Sequence, residues 1–186
     1  MTNTELKRLF EFKTDIEPAA GRLLVAHPLL DDPNFRRSVV LLTEYGPHGA
    51  MGFILNYRLE VNLVPGLPAL VQELRCGGPV GDDSLFIVHN AENFPGSVKI
   101  AEGLYIGGDL FGLDPLKADS IAFLGYAGWG QRQLEAEIRQ NSWAVCEATP
   151  NDLFLANPDT LWEDVMCRIG DKHAYMTLFP VNPRMN

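Results

Sequence analysis

Three short segments hold the residue types best suited to chemistry or binding. The first is Ala26-His-Pro-Leu-Leu-Asp-Asp-Pro-Asn-Phe35. Its two prolines fix φ and restrict the residues before them, so it reads as a rigid loop leaving a strand. His27 can act there as acid, base or ligand, with Asp31 or Asp32 to orient it. Equally, the aspartates can cap a turn while His27 hydrogen-bonds the backbone. The second segment is Cys76-Gly-Gly-Pro-Val-Gly81. The amides of Gly77 and Gly78, ahead of Pro79, can form a concave nest for an anion; the plainer reading is a tight turn that the glycines permit. Cys76 opens this turn, and a nucleophile pair with His89 is conceivable. The third is Gly125-Tyr-Ala-Gly-Trp-Gly-Gln-Arg-Gln-Leu-Glu135. Here a strand-like run, Ser120–Leu124, ends in glycines and a Trp before a polar helix. Trp129, flanked by Gly128 and Gly130, can stack on a flat ligand while the first helix amides meet its charged group. Gln131 and Gln133 add neutral donors and acceptors. Alternatively, Trp129 packs the helix onto the sheet.

Other chemistries find little support. His27, His48, His89 and His173 are far apart, with no His-x-x-x-His or His-Glu-x-x-His, so no metal is expected. No Gly-Lys-Ser/Thr follows the glycines, which disfavours a P-loop, and no serine sits in Gly-x-Ser-x-Gly. Cys76, Cys146 and Cys167 are odd in number and widely spaced, which reads as free thiols in a reducing compartment.

The 186 residues suit one domain, and 46% hydrophobic with 21% charged side chains is ordinary for a globular protein. Net charge is −9; residues 1–59 carry seven acids and seven bases, residues 60–186 carry 17 acids and eight bases. No basic run exists to displace phosphate counterions, so direct duplex binding is not expected. Arg22, Arg36, Arg37 and Arg58 suit at most a small positive pocket for one anionic ligand. No apolar stretch approaches a membrane span, and the N-terminus lacks the pattern of a secretory signal. These features point to a cytoplasmic protein with no membrane contact.

The elements that must position these segments follow from periodicity. Thr2-Asn-Thr-Glu5 reads as a capping box for a short amphipathic helix through Leu6, Leu9, Phe10 and Lys13, with Asp15–Ala20 as its linker. Residues 1–20 are thus a helix and linker packed on a body spanning 21–186. Arg22–Ala26, Ser38–Thr43 and Gly49–Asn56 read as strands, the last two joined as a hairpin. Leu67–Leu74 suggests a short helix. Ser84–His89, Leu104–Gly107, Ser120–Tyr126 and Ser142–Glu147 add strands. Leu134 and Ile138 give the helix after Trp129 an apolar side, with Glu135 and Arg139 as an i,i+4 pair. A last helix is capped by Asn157, starts at Pro158, presents Leu161, Val165 and Ile169 on one face, and stops at Gly170. Hairpin-like strands with helices gathered late indicate an α+β fold.

The three segments carry the patterns A-x-P-x-x-x-D-x-x-F, G-G-P-V and G-Y-x-G-W-x-x-x-Q-L-E, and through them the chain from Gly21 onward resembles the AlgH/YqgE family of bacterial proteins. That resemblance implies a bent, barrel-like mixed sheet, largely antiparallel, flanked by helices. Family members have been labelled transcriptional regulators, which implies a regulatory role; the acidic balance makes it an indirect one. The leading reading is a non-enzymatic protein binding a small anionic or aromatic ligand or a protein partner, without metal or cofactor. His27, Asp32, Phe35, Arg37, Gly77, Gly78, Pro79, Tyr126, Gly128, Trp129 and Gln133 form its expected site, with the three loops gathered around one depression. The alternative is an enzyme, a hydrolase using His27 with Asp31 or Asp32, or Cys76.

Overall fold

Apolar runs without polar alternation form the centre of one large sheet. A computed structural model describes residues 11–60, 73–108 and 118–178. In it, β1 (Arg22–Ala26) and the first half of β2 (Val39–Gly46) are buried on both faces, as short apolar β-branched runs require. A turn at Pro47-His48 returns the chain into β3 (Gly49–Ile54), antiparallel to β2. β10 (Trp143–Glu147) pairs antiparallel with the other edge of β1. β6 (Val80–His89), β8 (Leu104–Gly107), β7 (Ser97–Ala101) and β9 (Ser120–Trp129) complete the order β10-β1-β2-β3-β9-β6-β8-β7. β4 (Arg58–Leu59) pairs with β5 (Leu74–Cys76), which lies parallel to β9. Every other pairing among the described strands is antiparallel. Among the described residues there are four helices: α1 (Gln133–Arg139), between β9 and β10, then α2 (Pro150–Phe154), α3 (Pro158–Arg168) and α4 (Asp171–Met176). The fold is α+β, a mostly antiparallel sheet curled into a half-barrel.

β9 is the spine, because three strands share it. Its first half meets β5 at Leu74↔Ala122 through Cys76↔Leu124; its second half meets β3 at Ala50↔Trp129 through Gly52↔Ala127. β6 pairs with both halves, but its register jumps from Val80↔Tyr126 to Leu85↔Leu124. Residues 81–84 therefore bulge opposite the single residue Gly125. Gly125 has φ +70, and a Cβ there would lie 2.7 Å from the Gly78 carbonyl oxygen and 2.9 Å from that of Val80. Only glycine fits such a kink.

The two faces of the sheet carry separate cores. On one, Leu23, Val25, Leu41, Phe53 and Phe123 pack beneath Leu161, Trp162, Val165 and Met166 of α3. Asn157 caps α3 by accepting from the Asp159 amide, and the Trp162 Nε1 donates to the Ala26 carbonyl at 2.9 Å. On the other, Leu24, Val40, Leu42, Ile54, Trp129 and Trp143 pack under Leu134 of α1. Both indoles there need acceptors. Glu137 supplies them with one oxygen: its Oε2 accepts from Trp129 Nε1 at 2.9 Å and from Trp143 Nε1 at 2.8 Å. Its Oε1 accepts from Gln133 Nε2 at 2.9 Å, and Gln133 Oε1 in turn accepts from the Gly130 amide.

Several sequence expectations change at this level. Gly128 and Trp129 are strand rather than turn, since β3 pairs with both and carries β9 past Gly125. Leu74 opens β5 and not the end of a helix; residues 67–72 of that expected helix lie outside the described residues, as do 2–10 of the expected N-terminal helix. Residues 11–19 have no helix. β4, β5, β7, α2 and α4 were not legible from periodicity.

Burial fixes what Trp129 does for stability: it is 5% exposed and stacks at 6.0 Å from Phe35. Trp129→Ala is expected to cost about 3–5 kcal/mol. Glu137→Leu leaves two indole donors unsatisfied at about 1–3 kcal/mol each. Urea midpoints measure both; a midpoint unchanged in either variant would contradict the anchoring role.

Candidate functional site

The three motif segments are contiguous in the scaffold. Gly77 donates its amide to the Leu124 carbonyl and accepts from the Ile54 amide, so it is built into the ladder. A Cβ on Gly77 would collide with the Gly125 carbonyl, and one on Gly78 with the Tyr126–Ala127 peptide. Here the Gly-Gly-Pro segment is seated on β9. Tyr57 links it to the first loop: its carbonyl accepts from the Cys76 amide, and its hydroxyl donates to the Arg36 carbonyl at 2.6 Å. Burial is the main cause holding the Tyr57 phenol up at about 12. Phe35 then joins the first loop to the third, stacking on Trp129 and meeting Trp143 edge-on at 5.5 Å.

Their side chains, however, divide between the two faces. Phe35 and Trp129 point into the core under α1, with Gln133 on the helix above. Tyr126 packs on the opposite face, edge-on to Phe86 at 5.9 Å and beside Gly81 and Gly128. His27 also faces the α3 side, 4.9 Å edge-on from Phe12, and its Nδ1 accepts from the Leu29 amide at 3.1 Å. Burial and the nearby His173 lower its pKa. Asp31 is exposed, and Asp32 accepts from the Asn34 amide at 2.8 Å in a local turn. Arg37, with φ +52, sets its guanidinium 4.8 Å over the Trp162 ring and 3.7 Å from Glu163. Pro79 precedes β6 and is exposed. The Cys76 thiol sits 3.9 Å from the Gly78 carbonyl. His89 is buried, with Nε2 against the Gly107 carbonyl at 3.1 Å and Nδ1 accepting from the Ala91 amide at 3.2 Å. It pairs with Ser120 across β9, four residues along from the Leu124 that Cys76 faces.

A cleft of about 210 Å³ lies beside the third segment, between α1 and the strap formed by residues 13–18. Thr14 anchors the strap by donating to the Val145 carbonyl on β10, and the Arg22 guanidinium donates to the Glu17 carbonyl. The floor is apolar, with Ile16, Ile138, Trp143 and Val145; the rim carries Lys13 and Glu17 from the strap, Glu135 and Arg139 from α1. Glu135 Oε1 accepts from the Tyr45 hydroxyl at 2.9 Å instead of pairing with Arg139. Among the described residues none of these four charges forms an ion pair. Of the cleft only Glu135 lay in a motif; Gln133 and Glu137, an i,i+4 polar pair, gave the readable signal that α1 turns one polar edge toward the sheet. No group of three or more metal-ligating side chains occurs among the described residues, and no described helix is long and apolar enough to cross a membrane.

Comparison with known proteins agrees with this architecture. The sequence model described as AlgH-like matches residues 23–174. A UPF0301 protein of Cytophaga hutchinsonii is 36% identical over 178 residues, covering 89% of this chain and 98% of the relative. One from Parabacteroides distasonis is 34% identical, covering 97% and 98%. Among solved structures, a protein from Corynebacterium diphtheriae superposes with a TM-score of 0.78 at 29% identity, over 92% of this chain and 98% of that one. The solution structure of the AlgH protein from Pseudomonas aeruginosa gives 0.67 at 29% identity, over 90% and 98%. With a family match over residues 23–174 and relatives covered almost end to end, the chain belongs to the AlgH-like family.

Proposed function

We propose that this chain is a cytoplasmic, non-enzymatic binding protein with a regulatory role, and that its ligand occupies the cleft between the 13–18 strap and α1. The observation that carries this reading is the cleft itself: an apolar floor beneath four charged side chains that have no ion partner among the described residues. Binding sites combine apolar walls with a few polar groups in this way. By contrast, His27, Asp32, Cys76 and His89 each have a structural contact within their own segment or strand. Three of the four arginines considered for an anion pocket are already matched to acids: Arg22 to Glu147, Arg37 to Glu163 and Arg58 to Asp159. With a net charge of −9, regulation through a ligand or protein partner fits better than regulation through duplex DNA.

Screening small metabolites by thermal shift, followed by amide shift mapping on ¹⁵N-labelled protein, tests the site. Compounds that raise the melting temperature are expected to perturb residues 13–18, 135–139 and 143–145. Hits confined to the β6–β8 end would overturn the assignment. On DNA, no saturable duplex binding is expected at about 0.15 M salt; tight binding with a steep negative salt slope would contradict the indirect mode.

The His27 environment makes a separate prediction. Because its folded pKa lies below the ordinary 6.5, the unfolded chain binds more protons as the pH drops through that value. The stability from a neutral His27 is therefore present above pH 6.5 and is lost as pH falls through the lowered pKa. His27→Asn keeps an acceptor for the Leu29 amide and removes the titration. Between pH 7 and 5 its melting temperature should fall less than that of the parent; equal slopes would show that His27 is not held neutral.

A further inference from the structure

We propose that the cleft under α1 selects a small zwitterion, an α-amino acid with an apolar side chain, holding its ammonium at the Glu17–Glu135 end and its carboxylate at the Arg139–Lys13 end. This rests on the cleft being the binding site. Size is the first argument. At about 210 Å³ the cleft is smaller than the roughly 300–1,000 Å³ that drug-sized ligands occupy, so its occupant is on the scale of a single amino acid.

Charge is the second. Two acids and two bases give the rim a net charge of zero, so a purely anionic or cationic ligand would always face two like charges. The charges are also sorted. Tyr45 donates to Glu135, and its phenol is raised by burial and then by the Glu135 and Glu17 carboxylates, so both acids lie near one hydroxyl. Arg139 is four residues further along α1, about 6 Å in helical rise, and Lys13 is four residues back along the strap. Glu17 and Glu135 thus share the neighbourhood of Tyr45, each four residues from a base of its own element that also lines the cleft. The Tyr45 hydroxyl bonds Glu135 Oε1 and leaves Oε2 without a hydrogen-bond partner among the described residues. Ile16, Ile138, Trp143 and Val145 supply the apolar lining of the cleft, a surface for an aliphatic or aromatic side chain.

The test uses the full chain with L-leucine, N-acetyl-L-leucine and L-leucinamide as probes, followed by amide shift titration. Leucine should perturb the strap, α1 and Val145, while either blocked form should bind at least about tenfold more weakly, having lost one charged contact. Glu17→Gln and Arg139→Gln, both exposed, should leave melting temperature unchanged and weaken leucine about tenfold each. Equal binding of all three probes in the cleft would overturn zwitterion selection but leave the cleft as the site. So would a cleft filled by another metabolite that leucine does not displace. If neither leucine nor any screened compound perturbs the cleft, both this inference and the proposed site fail.

Discussion

One carboxylate oxygen holds the curl of this sheet. Glu137 Oε2 accepts from Trp129 on β9 and from Trp143 on β10, strands four steps apart in the order β10-β1-β2-β3-β9. At about 4.8 Å per step, a flat sheet would set those strands roughly 19 Å apart. Yet the two indole centroids lie 5.9 Å from each other. The sheet must bend around the core under α1 for these rings to meet, and once they meet both N–H groups are cut off from water. A buried donor without an acceptor costs about 1–3 kcal/mol, so a single acceptor between them favours the curled geometry over any flatter one. Because Glu137 sits one turn after Gln133 on α1, the same contact fixes the helix and, through Gln133, the Gly130 amide where the strand ends.

The kink at Gly125 does the complementary job on the spine. It lets β9 exchange β5 for β3 along one edge while β6 passes over it with a bulge. Across such a kink the alternation of side chains restarts, so Phe123 and Tyr126, three apart, share one face while Ala127 and Trp129 take the other. The glycines at Gly77 and Gly78 belong to the same construction, since they allow that strand exit to lie flat against the kink. Much of the recurring pattern that marks this family is therefore scaffold chemistry: residues required wherever three strands share one spine and a helix is pinned across the curl.

How far the sequence could be read follows from this. Strands with unbroken apolar runs, β1, β2 and β3, were legible because burial on both faces leaves no other use for such runs. α3 was legible from its cap and its apolar stripe. β7 was not, since Ser97-Val-Lys-Ile-Ala101 is an edge strand in which no residue is buried. The continuation of β9 through Gly128 and Trp129 was hidden because glycines read as a turn unless one knows that β3 lies alongside. Phe35 and Trp129 could be named as partners of their loops, but no local signal shows which face each would take. The cleft was least legible: it joins α1 to a strap more than a hundred residues earlier, and only the fold brings those together.

That strap explains why an open cleft exists at all. β10 is a sheet edge, and its outward backbone groups would template pairing with another chain if left bare. Residues 12–18 cover it without forming a ladder. Phe12 enters the core on the α3 side and Ile16 packs on the α1 side, with Thr14 bonded to Val145 between them. A segment that crosses an edge in this way alternates inward and outward residues, so Lys13 and Glu17 stay exposed while Phe12 is buried and Ile16 half-buried. α1, pinned from beneath by Glu137, presents Glu135 and Arg139 toward the same gap. The protection of one strand edge and the fixing of one helix thus leave four charges around an apolar floor, none of them in an ion pair among the described residues, with Glu135 held by the Tyr45 hydroxyl.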